Sequence, residues 1–188
     1  MSLTLATVVF NEAAKIADLL EHAKAFCDEL LVIDQTSTDG TAEIAWDCGA
    51  RVAIDDHYGW PEPSRHLIEP NIQTSHVLLL DADERIEPDR FQIFAEMAPT
   101  YWGAWLPRRT YIDGVWATPD SFDAQFRWWK KGTVEPFSIN LHSYIRPKDR
   151  TFVKWVEEWT IVHPKTGAEQ AESLSRYDRL AKLGVGVG

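Results

Sequence analysis

Short apolar segments that each end in polar residues recur through about the first 90 residues, and this pattern restricts the fold more than any other feature. The apolar segments cover residues 5–10, 30–33, 51–54 and 76–80. After the first segment, apolar residues recur at the three- and four-residue spacing of a helix with one buried face. The turn at 36–40 is rich in capping residues and opens a second predicted helix that runs to about Asp47. Alternating helices and wholly apolar strands predict a parallel sheet covered by helices on both faces.

Acidic and amide side chains lie where the predicted strands end. In open parallel sheets, ligands bind at the edge formed by the carboxyl ends of the strands. Carboxylates gathered at that edge repel one another unless a cation or a ligand rich in donors is present. The sequence therefore predicts a polar ligand site formed by these strand-end residues: Asn11, Glu12, Asp34, Asp55, Asp56, Asp81 and Asp83.

The Asp81-Ala82-Asp83 segment is a candidate metal site. Alternation along a strand would place Asp81 and Asp83 on the same side, so that both could face one cation. A hard cation such as Mn²⁺ or Mg²⁺ prefers oxygen ligands and bridges the oxygens of a diphosphate. The alternative interpretation is a solvated junction between a strand and a loop.

The glycine motifs of two common nucleotide-binding folds are missing from the sequence. No G-x-G-x-x-G follows the first strand, which argues against a Rossmann dinucleotide site, and no G-x-x-x-x-G-K-[ST] occurs. A nucleotide would therefore have to be held by side chains and a metal.

Composition narrows the choice of partners and of cellular location. The 188 residues carry a formal net charge of −10, which makes a nucleic acid an unlikely main partner because phosphate binding needs clustered Lys and Arg. Cys27 and Cys48 form neither a metal-ligand spacing nor a disulfide framework. We find no signal peptide and no apolar segment near the roughly 20 residues of a membrane span. These features predict a cytoplasmic protein without a transmembrane segment.

The chain after about residue 99 differs in character from the first half. It is aromatic and basic, it contains no repeat, and no linker separates it as a second domain. We expect it to add strands to the same sheet and to form a wall of the ligand cleft. Residues 181–188 are expected to be a disordered tail.

Three segments, at 7–12, 31–41 and 78–84, resemble glycosyltransferase family 2, whose members have the GT-A fold. Their order and spacing agree with the family, and the resemblance is close over about 4–90. Residues 58–65 are similar to a segment of the lipopolysaccharide-core-type members. Residues 123–132 resemble their D-x-Q-x-R-L-F-[RK]-[RK]-G motif, with Trp128 in place of Leu. His142 falls where those members have V-H-E, but Ser143 replaces the Glu.

The resemblance implies a single α/β domain of GT-A type, with a mostly parallel central sheet and an irregular, aromatic-rich second half. About 4–98 would be its nucleotide-sugar-binding half and about 99–180 its acceptor and catalytic half. In the first half, Asn11 and Glu12 would line the nucleoside pocket, and Asp34 would accept a hydrogen bond from uracil. Arg65 would face the base or the diphosphate. Asp81 would contact the ribose and lie beside the metal.

The resemblance also implies roles around the metal and the reacting sugar. Asp83 would ligate Mn²⁺ or Mg²⁺, and His142 and His163 are candidates for a late metal or phosphate contact. Arg127 would contact the diphosphate or the acceptor, or form a salt bridge. Inversion at the anomeric carbon needs a general base, for which Asp123 is the first candidate and Asp120 the alternative.

The function implied is transfer of a sugar, with inversion, from a UDP-sugar to an unidentified acceptor. That acceptor would be a glycan, a lipid-linked molecule or another hydroxyl compound, and the oligomeric state stays open. One alternative is a non-catalytic protein of the same fold that binds sugar nucleotides or glycans. A second is a phosphatase with a D-x-D motif, although that fold requires the motif after its first strand.

Overall fold

The computed structural model describes residues 1–117, 123–140, 143–158 and 160–182. Five α-helices lie within these ranges: α1 Ile16–Ala23, α2 Thr41–Asp47, α3 Ile68–Asn71, α4 Gln92–Met97 and α5 Gly167–Lys182. The strands among the described residues are β1 Leu3–Val9, β2 Glu29–Asp34, β3 Arg51–Ile54, β4 His76–Leu79, β5 Arg85–Ile86, β6 Gly103–Ile112, β7 Val115–Trp116, β8 Asp123–Lys130, β9 Val153–Trp155 and β10 Ile161–Lys165. Short 3₁₀ helices cover Glu62–Leu67, Pro88–Arg90 and Arg150–Phe152.

One mixed sheet joins both halves of the chain, in the order β3-β2-β1-β4-β8-β6-β10-β5. The first four strands in this order are parallel, as the sequence predicts. β8 is antiparallel to both β4 and β6, whereas β10 is parallel to β6. The second half therefore extends the same sheet, which confirms a single α/β domain with an irregular second half.

Two apolar cores cover the two faces of the sheet. Along β2, Leu30 and Val32 pack into one core, and Leu31 and Ile33 pack into the other. Residues of α1, α2 and α4 belong to the first core, and Ile68 of α3 belongs to the second. Helices on both faces are thus confirmed, because each strand of the parallel part is apolar on both sides.

The predicted elements of the first half are confirmed, with shifted boundaries. The second helix covers Thr41–Asp47, as predicted, and it follows a turn that ends at Gly40, which has a left-handed conformation with φ of 90°. At the other end of the chain, α5 extends through Lys182, so the expected tail at 181–188 begins inside this helix. Residues 183–188 lie outside the described ranges. No helix in those ranges is long and apolar enough to cross a membrane.

A β-bulge in β8 sets the direction of one side chain. The pairing with β6 changes from Ala104 opposite Trp128 to Trp105 opposite Phe126, so Arg127 is the extra residue. A bulge reverses the alternation of side chains, and accordingly Trp128 packs into the first core and Phe126 into the second. Bulges often re-aim a side chain beside a functional site, and Arg127 is such a case, because it points to the carboxyl end of β4.

We predict that Gly103→Ala destabilises the protein, because a Cβ at this position would overlap the ring edge of Phe126. Overpacking of this kind costs about 1–3 kcal/mol in the free energy of unfolding, which urea denaturation measures. The same substitution in a Phe126→Leu background should cost less, because leucine lacks the ring edge. Equal costs in both backgrounds would show that Phe126 is not the cause.

Candidate functional site

A cleft of about 1310 Å³ opens at the carboxyl ends of β1 and β4 and is closed on the other side by β6, β8, β10 and α5. Its lining includes most of the residues singled out from the sequence: Asn11, Glu12, Arg65, Asp81, Asp83, Asp123, Arg127 and His163. Asp34, Asp55 and Asp56, which were predicted to belong to the same site, are not part of the lining. Asp120 and His142 lie outside the described residues. Among the described lining residues, seven are Lys or Arg and seven are Asp or Glu. The cleft is therefore balanced in charge although the chain is strongly acidic, so it can accept an anionic ligand.

Asn11 and Glu12 join the end of β1 to the turn before α2. Asn11 has a φ of 54°, and its side-chain oxygen accepts a hydrogen bond from the Thr38 amide at 2.8 Å. The amide of Glu12 donates to Thr41 Oγ1 at 2.8 Å. Burial raises the pKa of Glu12, and the Asp83 carboxylate adds to this rise against the opposing charge of Lys15. Glu12 and Asp83 both line the cleft, where their like charges oppose each other.

Asp34 lies at the end of β2 and is 1% exposed. Its Oδ1 accepts the Ser37 amide at 2.8 Å, which closes the turn after the strand. Its Oδ2 is buried and has no hydrogen-bond partner among the described residues. A buried carboxylate oxygen without a donor is costly, so Oδ2 is a suitable acceptor for a ligand N–H that reaches this depth.

Asp81 and Asp83 both reach the cleft, but not by the strand alternation that the sequence predicts. β4 ends at Leu79, and the chain then turns, with the Glu84 amide donating to the Asp81 carbonyl at 2.9 Å. The Glu84 carboxylate closes the turn from the other side by accepting the Asp81 amide at 3.0 Å. This turn, and not a strand face, places the two carboxylates.

A buried ion network beneath the cleft connects this turn to β6 and β8. Glu84 is fully buried, and its Oε1 accepts from Arg108 Nη1 at 2.8 Å and from Arg127 Nη2 at 3.1 Å. Arg127 also binds both oxygens of Asp81, at 3.3 and 2.8 Å. Arg108 binds Asp123 Oδ2 through Nε at 2.8 Å and Nη2 at 2.7 Å. Two arginines thus hold three carboxylates in fixed positions.

Charge within this network shifts the pKa values of its members. Burial alone would raise the pKa of Asp81, but the adjacent Arg127 guanidinium holds it below its ordinary value. Burial acts on Arg127 in the opposite direction, yet Asp81 and Glu84 keep its pKa above the usual range. Asp81 therefore stays ionised while 40% of its side chain remains exposed.

Asp123 begins β8 and faces the cleft opposite the Asp81–Glu84 turn. Besides its contacts with Arg108, its Oδ1 accepts from Gln125 Nε2 at 2.7 Å. The side chain is 31% exposed, so solvent or a ligand can reach it. The D-x-Q-x-R pattern thus places Asp123, Gln125 and Arg127 in one wall.

Asp83 faces His163 across the cleft, with Oδ2 at 3.2 Å from the ring Nε2. The other ring nitrogen, Nδ1, lies 3.2 Å from Thr110 Oγ1, which fixes the orientation of the imidazole. Burial alone would raise the pKa of Asp83, but the hydrogen bond from His163 lowers it below its ordinary value. Asp83 Oδ2 and an unprotonated His163 Nε2 would both present lone pairs and would not attract each other. Their contact therefore needs either a proton on Nε2 or a cation between the two atoms.

These donors fit a divalent cation only in part. Within the described portion of the chain, no three or more His, Cys, Asp or Glu side chains are arranged to hold a metal. Asp83 and His163 offer one oxygen and one nitrogen, and both oxygens of Asp81 are bound by Arg127. Mg²⁺ is commonly held by one or two protein ligands together with substrate phosphates and water, so this pair fits a metal that arrives with a phosphorylated ligand.

Arg65 lies in the cleft wall below the mouth. Its Nη1 donates to the Ser143 carbonyl at 2.9 Å, and its Nη2 lies 3.6 Å from Glu62 Oε1. Burial lowers the pKa of Arg65. Its Nε is buried and has no hydrogen-bond partner among the described residues.

Sequence reasoning missed several residues that shape the site. Glu84 belongs to the recognised motif, and its place three residues after Asp81 was a usable signal, but its role depends on arginines distant in sequence. Arg108 stood out only as one of several basic residues. Nothing in the local pattern indicated that α5 would reach the cleft.

Residues 4–149 match the family model described as Glycosyl transferase family 2, and the chain belongs to this family. It is 40% identical over 82 residues to glycosyltransferase AglJ of Haloferax volcanii, which covers 43% of this chain and 27% of that protein. An uncharacterized glycosyltransferase of Rickettsia felis is 34% identical over 79 residues, covering 42% and 28%. The chain thus spans about a quarter of the length of these relatives.

Solved structures show the same fold at low sequence identity. S. aureus TarS 1-349 superposes with a TM-score of 0.61 and 14% identity, covering 100% of this chain and 67% of that one. Mannosyl-3-phosphoglycerate synthase from Rubrobacter xylanophilus gives a TM-score of 0.50 and 21% identity, covering 58% and 41%. The predicted GT-A fold is confirmed. Family membership, with the D-x-D segment after β4 and not after β1, leaves no support for the phosphatase alternative.

We predict that Glu84→Gln strongly destabilises the protein, because it leaves the buried guanidinium of Arg127 and the partly buried one of Arg108 without their shared carboxylate. Breaking a buried ion pair from one side costs about 3–5 kcal/mol in the free energy of unfolding. The matched control is Glu21→Gln, which removes an exposed carboxylate paired with Lys24 and should change stability by less than about 1 kcal/mol. Similar denaturant midpoints for the two variants would contradict a structural role for Glu84.

Proposed function

We propose that this protein is a glycosyltransferase that moves a sugar from a UDP-sugar to an acceptor hydroxyl with inversion, using Mn²⁺ or Mg²⁺. The observation that carries the proposal is the pair of Asp83 and His163, which face each other in a charge-balanced cleft at the carboxyl edge of the parallel strands. Membership of glycosyltransferase family 2 supports the reaction class. The curated relatives are much longer than this chain, so the activity is a proposal for the whole protein.

The choice of a UDP-sugar follows from the cleft and from a structural neighbour. S. aureus TarS 1-349 has been solved with UDP-GlcNAc and with UDP. In this chain, Asn11 and Glu12 would border the nucleoside, and the unpartnered Oδ2 of Asp34 would accept the ring N–H of uracil. Asp81, held by Arg127, would accept from a ribose hydroxyl through its exposed face. Arg65 would add positive charge near the base or the diphosphate.

Asp83 and His163 would hold the cation together with oxygens of the diphosphate. When bound, the cation supplies neutralisation of the charge that builds on the leaving diphosphate. Thr110 keeps the His163 ring in position for this contact. Arg127 is committed to Asp81 and Glu84, so in this proposal it positions Asp81 and does not contact the donor.

Asp123 would accept the proton of the attacking acceptor hydroxyl. The remaining carboxylates of the cleft floor are assigned to the nucleoside and the cation, whereas Asp123 lies on the opposite wall and is partly exposed. Arg108 and Gln125 fix its orientation, which a positioned general base requires. The acceptor would be a glycan, a lipid-linked molecule or another hydroxyl compound.

One observation favours a second candidate function, a non-catalytic protein that binds sugar nucleotides. Two N–H groups of Arg108 and one of Gln125 already engage the Asp123 carboxylate, so an acceptor hydroxyl would have to compete with them for its oxygens. Measurement of UDP release from a panel of UDP-sugars separates the two functions, because only an enzyme transfers the sugar to water or to an added acceptor.

We predict that UDP binds much more weakly without a divalent cation, because the carboxylates of the cleft floor otherwise repel the diphosphate. Calorimetry with Mn²⁺ and with EDTA measures the difference. Asp83→Asn and His163→Gln should each remove most of the Mn²⁺-dependent gain, while Asp18→Asn, which removes an exposed carboxylate outside the cleft lining, should keep it. Equal UDP affinity with Mn²⁺ and with EDTA would refute the metal-assisted proposal.

We predict that Asp123→Asn keeps Mn²⁺-dependent UDP binding but loses turnover by roughly the hundred- to ten-thousandfold that a general base contributes. The assay uses whichever UDP-sugar the wild-type protein consumes fastest. Asp120→Asn is the parallel variant, and the melting temperatures of both check the fold. If only the Asp120 variant loses turnover, Asp120 and not Asp123 is the general base. If neither variant loses turnover, neither residue is the general base.

A further inference from the structure

Helix α5 lies along the cleft, and its polar side faces the candidate donor site. Four of its cleft-lining residues, Glu169, Ser173, Arg176 and Leu180, recur at the three- and four-residue spacing of a single helix face, and Arg179 lines the cleft beside them. A helix of 16 residues is about 24 Å long, which is enough to extend along much of a site for a nucleotide sugar.

Polar contacts join the first part of α5 to the rest of the protein. Lys15 Nζ lies 2.7 Å from Glu169 Oε1, and Lys165 Nζ donates to Ser173 Oγ at 3.4 Å. The Gly167 amide donates to the Asp113 carboxylate at 3.1 Å. No described residue of α5 is buried, and none belongs to either apolar core. Because none of its described side chains is buried, α5 is held less firmly than the helices of the two cores, so its position can respond to a ligand.

The positive charges on this side of the cleft differ from those beneath it. Arg108 and Arg127 are neutralised by the carboxylates of Asp81, Glu84 and Asp123. In the described part of the chain, by contrast, Lys165 and Arg179 have no carboxylate within ion-pair distance, and their hydrogen bonds go to the hydroxyl groups of Ser173 and Ser175. Hydroxyl partners leave their positive charge uncompensated and available to an anion.

Arg176 lines the same cleft as Glu12, Asp83 and His163, the residues at its cation-binding end. Its positive charge opposes the burial-driven rise in the pKa of Glu12. Lys165, two residues after His163 on β10, also lines this cleft. Both basic residues therefore lie in the cleft that would hold a bound diphosphate.

We propose that Arg176 and Arg179 of α5 bind the diphosphate of the donor, and that a bound nucleoside diphosphate thereby holds α5 against the cleft. The inference rests on the proposed UDP-sugar site and adds residues outside the segments that resemble the family motifs. Guanidinium groups suit this contact because they form paired hydrogen bonds with phosphate oxygens.

Calorimetry with UDP and Mn²⁺ tests the binding contacts. Arg176→Ala and Arg179→Ala should each lower the affinity for UDP by roughly three- to tenfold. The loss is smaller than for a fully buried charged hydrogen bond, because the site is partly open to solvent. Neither substitution should alter the affinity for uridine, which has no phosphate. Lys182→Ala is the matched control, because it removes one positive charge from the same helix at an exposed position outside the cleft lining; it should change UDP affinity by less than about twofold.

Hydrogen exchange tests the response of the helix in the unaltered protein. UDP with Mn²⁺ should slow exchange of the amides at 169–180, and uridine with Mn²⁺ should not. If UDP binds but the two arginine variants match Lys182→Ala, or if the α5 amides exchange at the same rate with and without UDP, this inference is wrong while the proposed function stands. If the wild-type protein binds no UDP in the presence of Mn²⁺, the proposed function and this inference fail together.

Discussion

The fully buried carboxylate of Glu84 is the interaction on which the arrangement of the cleft depends. It accepts hydrogen bonds from Arg108 and Arg127, which lie on two neighbouring strands, and from the Asp81 amide in its own turn. A charge in this position is tolerated only with complete pairing, because desolvation of an unpaired ion costs several kcal/mol. The same requirement makes the network specific: Asp81 and Asp123 lie where Arg127 and Arg108 hold them, and the turn after β4 can adopt little else.

This dependence joins the two halves of the chain. The parallel strands β1 and β4 lead into the cleft floor, whereas β6 and β8 supply the arginines. Arg127 reaches Asp81 because it is the extra residue of a β-bulge; in a regular strand, Phe126 and Trp128 would share one face and could not pack into opposite cores. The bulge therefore serves both the packing of the sheet and the electrostatics of the site.

The parts of the structure that follow from local pattern were predictable from the sequence. Apolar strands that end in acids placed Asn11, Glu12, Asp81 and Asp83 at one sheet edge, and the structure brings all four to the cleft. The burial of the Asp34 side chain was not predictable, because it depends on the turn that its own Oδ1 closes by accepting the Ser37 amide. The partners of Glu84 and the path of α5 were also beyond sequence reasoning, since both depend on contacts between residues far apart in the chain.

The balance of charge in the cleft explains how so acidic a chain can be matched to an anionic ligand. Arginines already neutralise Asp81, Glu84 and Asp123, so these three carboxylates add less to the repulsion that a diphosphate would meet than Glu12 and Asp83 do. Asp83 and His163 present an oxygen and a nitrogen 3.2 Å apart, and a proton on the ring joins them in the absence of a metal. A divalent cation would take the place of that proton between the oxygen and the nitrogen. Metal and diphosphate would therefore favour each other's binding. The cation would offset the negative charge of the carboxylates in the cleft floor, and the phosphate oxygens would supply the metal ligands that two protein side chains cannot.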